Sequence, residues 1–134
     1  MDLKLQVGVK ILLKNKDGKY LVVRRSKDKY PEAGPQWEVV GGRIDPGTTL
    51  IENLKREVLE ETGLTIQGEV KLITAQDILK TQKHIVRLTY TGHADGEVKL
   101  SGEHTDFKWL SLAEILKLEP LDSYTKKVIE NFDF

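Results

Sequence analysis

The most informative stretch of the chain is residues 42–64, GRIDPGTTLIENLKREVLEETGL. Thr49 followed three residues later by Glu52 fits the capping box that opens many helices. Apolar residues then recur at helical spacing up to about Glu61. Gly63 stands where a helix-terminating glycine is expected. The stretch therefore predicts a single helix, entered through a turn at Pro46-Gly47.

Helical geometry places the carboxylates of this segment together. At 100° per residue, Glu57, Glu60 and Glu61 share an arc of about 100°. The arc overlaps the apolar stripe, so that Glu61 projects between Leu50 and Leu54. Like charges at i,i+4 cost ~0.2–0.5 kcal/mol, and burial adds a larger desolvation cost unless a cation neutralises the cluster. Carboxylates without histidine or cysteine suit Mg²⁺ or Mn²⁺ better than zinc. The alternative interpretation is a solvated acidic face with surface salt bridges.

The Gly41-Gly42 pair before this segment fits either of two interpretations. Glycine lets the backbone approach a metal or a phosphate closely, and a main-chain carbonyl can be a ligand. A double glycine is also a common turn. We expect the short strand over residues 37–40 to end there.

The remaining patterns predict a sheet with few helices. Strict alternation over residues 3–13 is typical of a long, half-buried strand. Asn15-Lys16-Asp17-Gly18 predicts a hairpin to a second strand at Tyr20–Arg25, and residues 27–36 are expected to form a loop. Further strands are predicted at 69–75, 83–92, 97–100 and 107–110, and short helices at 112–116 and 123–131. Strands with one central and one terminal helix suggest an α+β or α/β sandwich with a mixed sheet.

Composition limits the classes of function. The 134 residues are enough for one domain, 1–134, and Lys+Arg and Asp+Glu are both 21. The zero net charge gives no reason to expect a nucleic-acid polymer as partner. The absence of cysteine excludes disulfides and thiolate chemistry. The histidines, His84, His93 and His104, have no metal-ligand spacing and are expected to be surface or strand residues. The N-terminus has neither a signal-peptide pattern nor a membrane-spanning run, which predicts a cytoplasmic protein.

Residues 42–48, followed by Arg-Glu-Val-Leu-Glu-Glu-Thr-Gly-Leu at 56–64, resemble the Nudix box. The match departs from the family pattern at Thr48, where the family has a glutamate. Residues 37–42 resemble the strand that enters the box, with Val40 in place of a frequent proline. Glu103, six residues before Trp109, resembles a later acidic loop of the family. This similarity, which covers most of the chain, implies an α/β/α sandwich: a Nudix fold with a mixed β-sheet, one catalytic helix and a C-terminal helix.

The resemblance also implies a site and a reaction. Arg56 would orient the carboxylates, one of which would activate water. The implied metal ligands are the Gly41 carbonyl, Glu57, Glu60, Glu61 and Glu103. The reaction would be the Mg²⁺-dependent hydrolysis of a phosphoanhydride in a nucleoside diphosphate linked to another moiety, with Mn²⁺ as an alternative cation. A nucleoside triphosphate, ADP-ribose or another nucleotide sugar, and a dinucleoside polyphosphate are all open as substrates.

Candidate substrate-binding residues lie outside the box. Arg24 and Arg25 are candidates for phosphate contact, although adjacent strand residues face opposite ways, so that one of them is expected to be a surface charge. Candidates for stacking on a base are Trp37, Trp109 and Tyr124, with a core position as the alternative. Asp122 resembles a position that reads a purine edge in the branch that removes oxidised nucleotides. The alternative that we favour for Asp122 is a helix N-cap.

Thr48 keeps a second function open. The chain could be a weak or inactive Nudix domain that acts as a nucleotide-binding or regulatory module. In either case the expected partner is a small nucleotide and not a membrane. The sequence does not distinguish a monomer from a homodimer.

Overall fold

The protein is described here from a computed structural model that covers residues 2–26 and 35–134. Most of the predicted loop over 27–36 therefore lies outside the described residues. Ten elements follow in chain order: β1 (Lys4–Lys14), β2 (Tyr20–Arg25), β3 (Trp37–Glu38), β4 (Val40–Arg43), α1 (Leu50–Thr62), β5 (Gln67–Leu79), β6 (Lys83–His93), β7 (His104–Leu110), α2 (Leu112–Ile115) and α3 (Ser123–Asn131). None of the helices in these ranges is long and apolar enough to cross a membrane.

The strands form one mixed sheet around β1. β1 pairs in parallel with β6 and antiparallel with β2 and β4. β5 pairs antiparallel with β6, while β3 and β7 both pair with β2. The predicted mixed sheet is confirmed.

Helices cover both faces of this sheet. Val9, Ile11 and Leu13 of β1 pack in one core with Leu54 and Val58 of α1. Leu12 faces the other way, into a second core with Ile115 of α2 and with Val128 and Ile129 of α3. The α/β/α sandwich is confirmed. The half-buried character predicted for the first strand is wrong over residues 9–13, because both faces of this central strand are covered.

The predicted helix is confirmed with its caps. The Thr49 hydroxyl accepts a hydrogen bond from the Glu52 amide, and Gly63 ends α1 with a φ of 74°. The strand predicted at 97–100 is wrong. The Lys99 amide donates to the Thr62 carbonyl (2.8 Å) and the Ser101 amide to the Glu61 carbonyl (3.3 Å). This segment therefore satisfies the free carbonyls at the end of α1 and does not extend the sheet.

Three strand boundaries also differ from the prediction. The chain does not leave the sheet at Gly41-Gly42, since β4 continues through both glycines and pairs with β1. β5 runs on to Leu79 through an irregular register with β6. β7 begins at His104, so that this histidine belongs to the sheet.

Candidate active site

A groove of about 900 Å³ runs across the sheet between α1 and the start of α3. Its wall on the α1 side carries Glu57 and Glu61, together with Glu103 from the segment before β7. Its opposite wall carries cations from β6 and from the turn between β5 and β6, which are Lys80, Lys83 and Arg87. The groove therefore has an acidic side and a basic side.

The two glycines of β4 make room for the carboxylates of α1. The Gly41 amide donates a hydrogen bond to Glu61 Oε2 over 3.1 Å. A Cβ atom on Gly42 would lie 2.8 Å from Glu57 Oε2, closer than carbon atoms of this kind approach. Gly41 adopts a φ of 150°, which an L side chain rarely takes. The double glycine is thus required by the carboxylate pair as well as by the backbone.

Glu60 is separated from this pair. Its side chain is 63% exposed, and its Oε1 lies 4.0 Å from Arg56 Nε. It is absent from the groove lining formed by the described residues. Of the three carboxylates predicted to share one arc of the helix, Glu57 and Glu61 therefore face the groove. Glu60 lies at the helix surface.

Arg56 connects the helix to the preceding loop. Its guanidinium donates to Asp45 Oδ2 (2.5 Å) and to Glu57 Oε1 (3.0 Å). Thr48 takes part in a different network, in which its hydroxyl accepts from Asn53 Nδ2 (2.7 Å) and donates to the Asp45 carbonyl (3.0 Å). Asp45, and not Thr48, is therefore the loop residue that holds Arg56.

A buried carboxylate, Glu38, organises the inner part of the groove. Its side chain is 5% exposed and accepts hydrogen bonds from Lys10 Nζ (3.1 Å) and Arg25 Nη2 (2.7 Å). His104 Nε2 lies 3.1 Å from the second oxygen, Oε2. Burial alone would raise the pKa of Glu38, but Lys10, His104 and Arg25 together hold it well below its usual range. Glu38 is thus an anionic anchor for cations that line the groove.

Glu61 has the opposite electrostatic character. Burial raises its pKa to about 8, Lys10 opposes the rise, and the charges of Glu57, Glu103 and Glu38 add to it. His104 Nδ1 is buried without a hydrogen-bond partner and lies 3.8 Å from Glu61 Oε1. A cation beside Glu61 would offset this concentration of negative charge.

The residues on the acidic side fit a hard cation. Within residues 2–26 and 35–134, no three Asp, Glu or His side chains surround a metal position by themselves. Mg²⁺ does not require such a cage, since it is usually bound through one or two carboxylates, with waters and substrate phosphates completing its shell. Glu57 and Glu61, backed by Glu103, provide this type of donor set.

The basic side of the groove is joined to α3. Arg87 Nη1 donates to Asp122 Oδ2 over 2.5 Å, and the Arg87 guanidinium lies 5.4 Å from the Tyr124 ring centre. Asp122 also accepts from the amide and the hydroxyl of Thr125, which makes it the N-cap of α3. The favoured N-cap interpretation of Asp122 therefore holds, although the residue also lines the groove.

The other predicted residues are divided between the groove and the core. Arg25 lines the groove, whereas Arg24 donates to the Pro35 carbonyl and lies over Trp37. Trp37 is 5% exposed, packs in the second core and is outside the described groove lining. Of the two interpretations of Trp37, the core position is therefore the one that the structure shows. The Glu103 carbonyl accepts a hydrogen bond from the Ser26 amide, which ties its segment to the end of β2.

Sequence reasoning missed several charged groove residues, among them Lys10, Glu38, Arg43 and Arg87, and it missed His104, which contacts Glu38 from outside the groove lining. His104 is a strand residue as expected, but its side chain is buried. Lys10 gave no signal in the sequence, because it falls on the face that the alternation of residues 3–13 leaves polar. A lysine at a central-strand position requires a buried partner or a ligand.

Comparison with known proteins agrees with this geometry. The family model described as the NUDIX domain matches residues 4–132. A nucleoside triphosphatase, NudI of Escherichia coli, is 29% identical over 124 residues, which are 84% of this chain and 86% of that protein. The crystal structure of a MutT protein from Methanosarcina mazei is 32% identical with a TM-score of 0.85, covering 99% of this chain and 96% of that one. A MutT NUDIX hydrolase from Burkholderia pseudomallei, 23% identical, shares the fold with a TM-score of 0.83 over 97% and 99% of the two chains.

Proposed function

The chain belongs to the Nudix hydrolase family, and we propose that it hydrolyses the phosphoanhydride bond of a nucleoside triphosphate with Mg²⁺ as cofactor. The observation that carries the proposal is the pairing of Glu57 and Glu61 with a row of cations across one groove. A carboxylate pair suits a divalent metal ion, and the lysine and arginine side chains suit the phosphate chain of the substrate.

The chain's own residues have separate tasks in this reaction. Glu57 and Glu61 would hold the cation, which would neutralise phosphate oxygens and lower the pKa of an attacking water. The Gly41 amide fixes one oxygen of Glu61, and Arg56 fixes one oxygen of Glu57. Both carboxylates are therefore oriented before substrate arrives, which is the preorganisation that catalysis requires.

The inner cations are also held in place. Lys10 and Arg25 both donate to Glu38, so that neither side chain has to be ordered when a phosphate binds. Their positive charges are partly balanced by Glu38, which lets them remain in a largely buried region. Arg25 is the residue of the Arg24-Arg25 pair that we assign to phosphate contact.

The choice of a triphosphate rests on two supports. The NudI protein of Escherichia coli, named a nucleoside triphosphatase, is similar to this chain over most of its length. The groove is also lined by Lys80, Lys83 and Arg87, which are more cations than a single phosphate needs. A nucleotide sugar or dinucleoside polyphosphate is the alternative substrate class. A cytoplasmic location belongs to the same proposal.

A nucleotide-binding module without turnover is the second candidate, motivated by Thr48. The Asp45–Arg56 bond weakens that motive, because Arg56 is held without a glutamate at position 48. Retention of an unfavourable buried carboxylate, Glu61, also favours the enzyme.

Incubation with a panel of nucleoside triphosphates, nucleotide sugars and dinucleoside polyphosphates tests the proposal, with and without Mg²⁺ or Mn²⁺. We expect metal-dependent release of pyrophosphate or phosphate from triphosphates, and its loss in Glu61→Gln. Absence of cleavage of every compound between about pH 7 and 9.5 would overturn the enzymatic function. Binding of a nucleotide without cleavage would establish the second candidate.

A further inference from the structure

Two arginines face each other across a glycine in the central strands. In the register of the sheet, Gly8 of β1 pairs with Arg43 of β4 on one side and with Arg87 of β6 on the other. Residues paired in this way project from the same face of a sheet. Arg43, Gly8 and Arg87 therefore form a row, which we call the arginine row, and all three line the groove.

The absence of a side chain at Gly8 leaves a gap within this row. Neighbouring strands are ~4.8 Å apart, so that the Cα atoms of the two arginines are about 10 Å apart. A Cβ on Gly8 would lie 3.6 Å from the Gly42 carbonyl oxygen and 3.7 Å from Arg43 Cδ, which are ordinary contacts. The position tolerates a methyl group, whereas a larger side chain would enter the gap.

Both guanidinium groups are held from one side. Arg87 donates through Nη1 to Asp122 and lies over Tyr124, while Arg43 donates through Nη1 to the Gln6 side chain. Each guanidinium has five N–H groups, so these single bonds leave donors for a ligand. Arg43 forms no ion pair with another residue of the ranges 2–26 and 35–134.

Asp122 balances the charge of Arg87, whereas Arg43 has no carboxylate partner among the described residues. The pKa of Arg43 is lowered first by partial burial and then by the positive charges of Arg87 and Arg25. An anion bound between Arg43 and Arg87 would reduce the repulsion that Arg43 experiences. Two arginines about 10 Å apart can both reach one phosphate, since the guanidinium fork matches phosphate oxygens.

We propose that Arg43 and Arg87, on either side of Gly8, bind a phosphate group of the substrate other than the one bound through Glu57 and Glu61. This inference rests on the proposed function and deepens it, because it assigns a second phosphate position to the groove. A nucleoside triphosphate fills both positions and still carries a phosphate in between or beyond them.

Binding of non-hydrolysable nucleotides tests this assignment by calorimetry. The probes are the methylene analogue of adenosine triphosphate and adenosine monophosphate, each measured in Mg²⁺. In Arg43→Gln we expect at least about a 10-fold weaker Kd for the triphosphate analogue, as loss of a charge-assisted hydrogen bond implies. The Kd for adenosine monophosphate, which has no second phosphate, should change by less than about 3-fold.

Variants at Gly8 test the gap without removing a charge. Gly8→Val should weaken the triphosphate analogue as Arg43→Gln does, whereas Gly8→Ala should have little effect. Lys117→Gln, an exposed residue outside the described groove lining, is the charge-matched control and should bind as wild type does. Unfolding temperatures confirm that each variant is folded.

The outcomes separate this inference from the proposed function. Equal weakening of the triphosphate analogue and of adenosine monophosphate in Arg43→Gln, or none, would overturn the arginine row even if the enzyme hydrolyses triphosphates. A preference for the triphosphate analogue that Arg43→Gln abolishes would establish it even if wild type hydrolyses nothing. An unchanged Kd of Gly8→Val for the triphosphate analogue would also overturn the proposal.

Discussion

Arg56 Nη1 donates a hydrogen bond to Asp45 Oδ2 over 2.5 Å, and the same guanidinium donates to Glu57. The loop before α1 thereby controls the orientation of a carboxylate in the groove. The chain departs from its family's pattern at Thr48, eight residues before this arginine in sequence. Asp45 provides the carboxylate that Thr48 lacks.

Asp45→Ala should therefore lower kcat by about 10-fold, the effect of one lost orienting contact of about 1.4 kcal/mol. The same variant should barely change stability, since Asp45 and Arg56 are 68% and 32% exposed and such pairs contribute ~0–1 kcal/mol. Steady-state kinetics and thermal unfolding measure the two effects. Asp133→Ala, at an exposed position near the C-terminus, is the control. Full activity in Asp45→Ala would show that Arg56 needs no partner in the loop.

Gly42→Ala should abolish most turnover while leaving the protein folded. The added Cβ would lie 2.8 Å from Glu57 Oε2, so that the carboxylate has to move away from its position in the groove. We expect a loss of at least about 100-fold in kcat/KM, because small misplacements of catalytic groups have effects of that size. Gly102→Ala is the matched control, since a Cβ there meets no atom within 4 Å. Comparable losses in the two variants would contradict this role for Gly42.

Glu61 gives a prediction about stability and pH in the absence of metal. Its pKa is about 8 in the folded protein, against an ordinary value of 4.5. Between these pH values the folded state holds a proton that the unfolded state has released, so stability falls as the pH rises from 4.5 to 8. Glu61→Gln removes this loss and should be more stable than wild type at pH 8, by on the order of a few kcal/mol.

Urea unfolding in a metal chelator at pH 5 and pH 8 measures the effect. The stability difference between Glu61→Gln and wild type should grow with pH, and Mg²⁺ at pH 8 should reduce it by stabilising wild type. Glu60→Gln, at a 63% exposed side chain, should show no such growth. A difference that is independent of pH would mean that Glu61 is ionised in the folded protein without metal.

The features that the sequence predicted correctly depend on local rules. The bounds of α1 follow from Thr49, Gly63 and an apolar period, all of which act within one or two helical turns. The placement of Glu61 at the buried edge of that helix follows from the same period. The error at 97–100 has the opposite origin, because the partner of that segment is the end of α1, more than 30 residues away.

The inner site could not be predicted for a similar reason. Glu38 is bonded to Lys10, 28 residues earlier, and to His104, 66 residues later. The arginine row depends on the register of three strands relative to one another. The sequence shows the alternation within each strand but does not show this register. Alternation shows which residues share a face of one strand, but not which residues of another strand lie beside them.

Glu38→Gln tests the buried anchor itself. The variant keeps the shape of the side chain but removes the negative charge that pairs with Lys10 and Arg25, and Lys10 is 11% exposed. Breaking such a buried pair costs ~3–5 kcal/mol, which we expect at neutral pH in urea unfolding.

Because the folded pKa of Glu38 lies well below its usual range, its stabilisation is present above about pH 4.5 and is lost as the pH falls through the folded value. The stability difference between wild type and Glu38→Gln should therefore shrink as the pH falls from 7 to 3. Glu97→Gln, an exposed residue, should match wild type throughout, and a Glu38→Gln deficit that stays constant down to pH 3 would show that the Glu38 charge contributes nothing to folding.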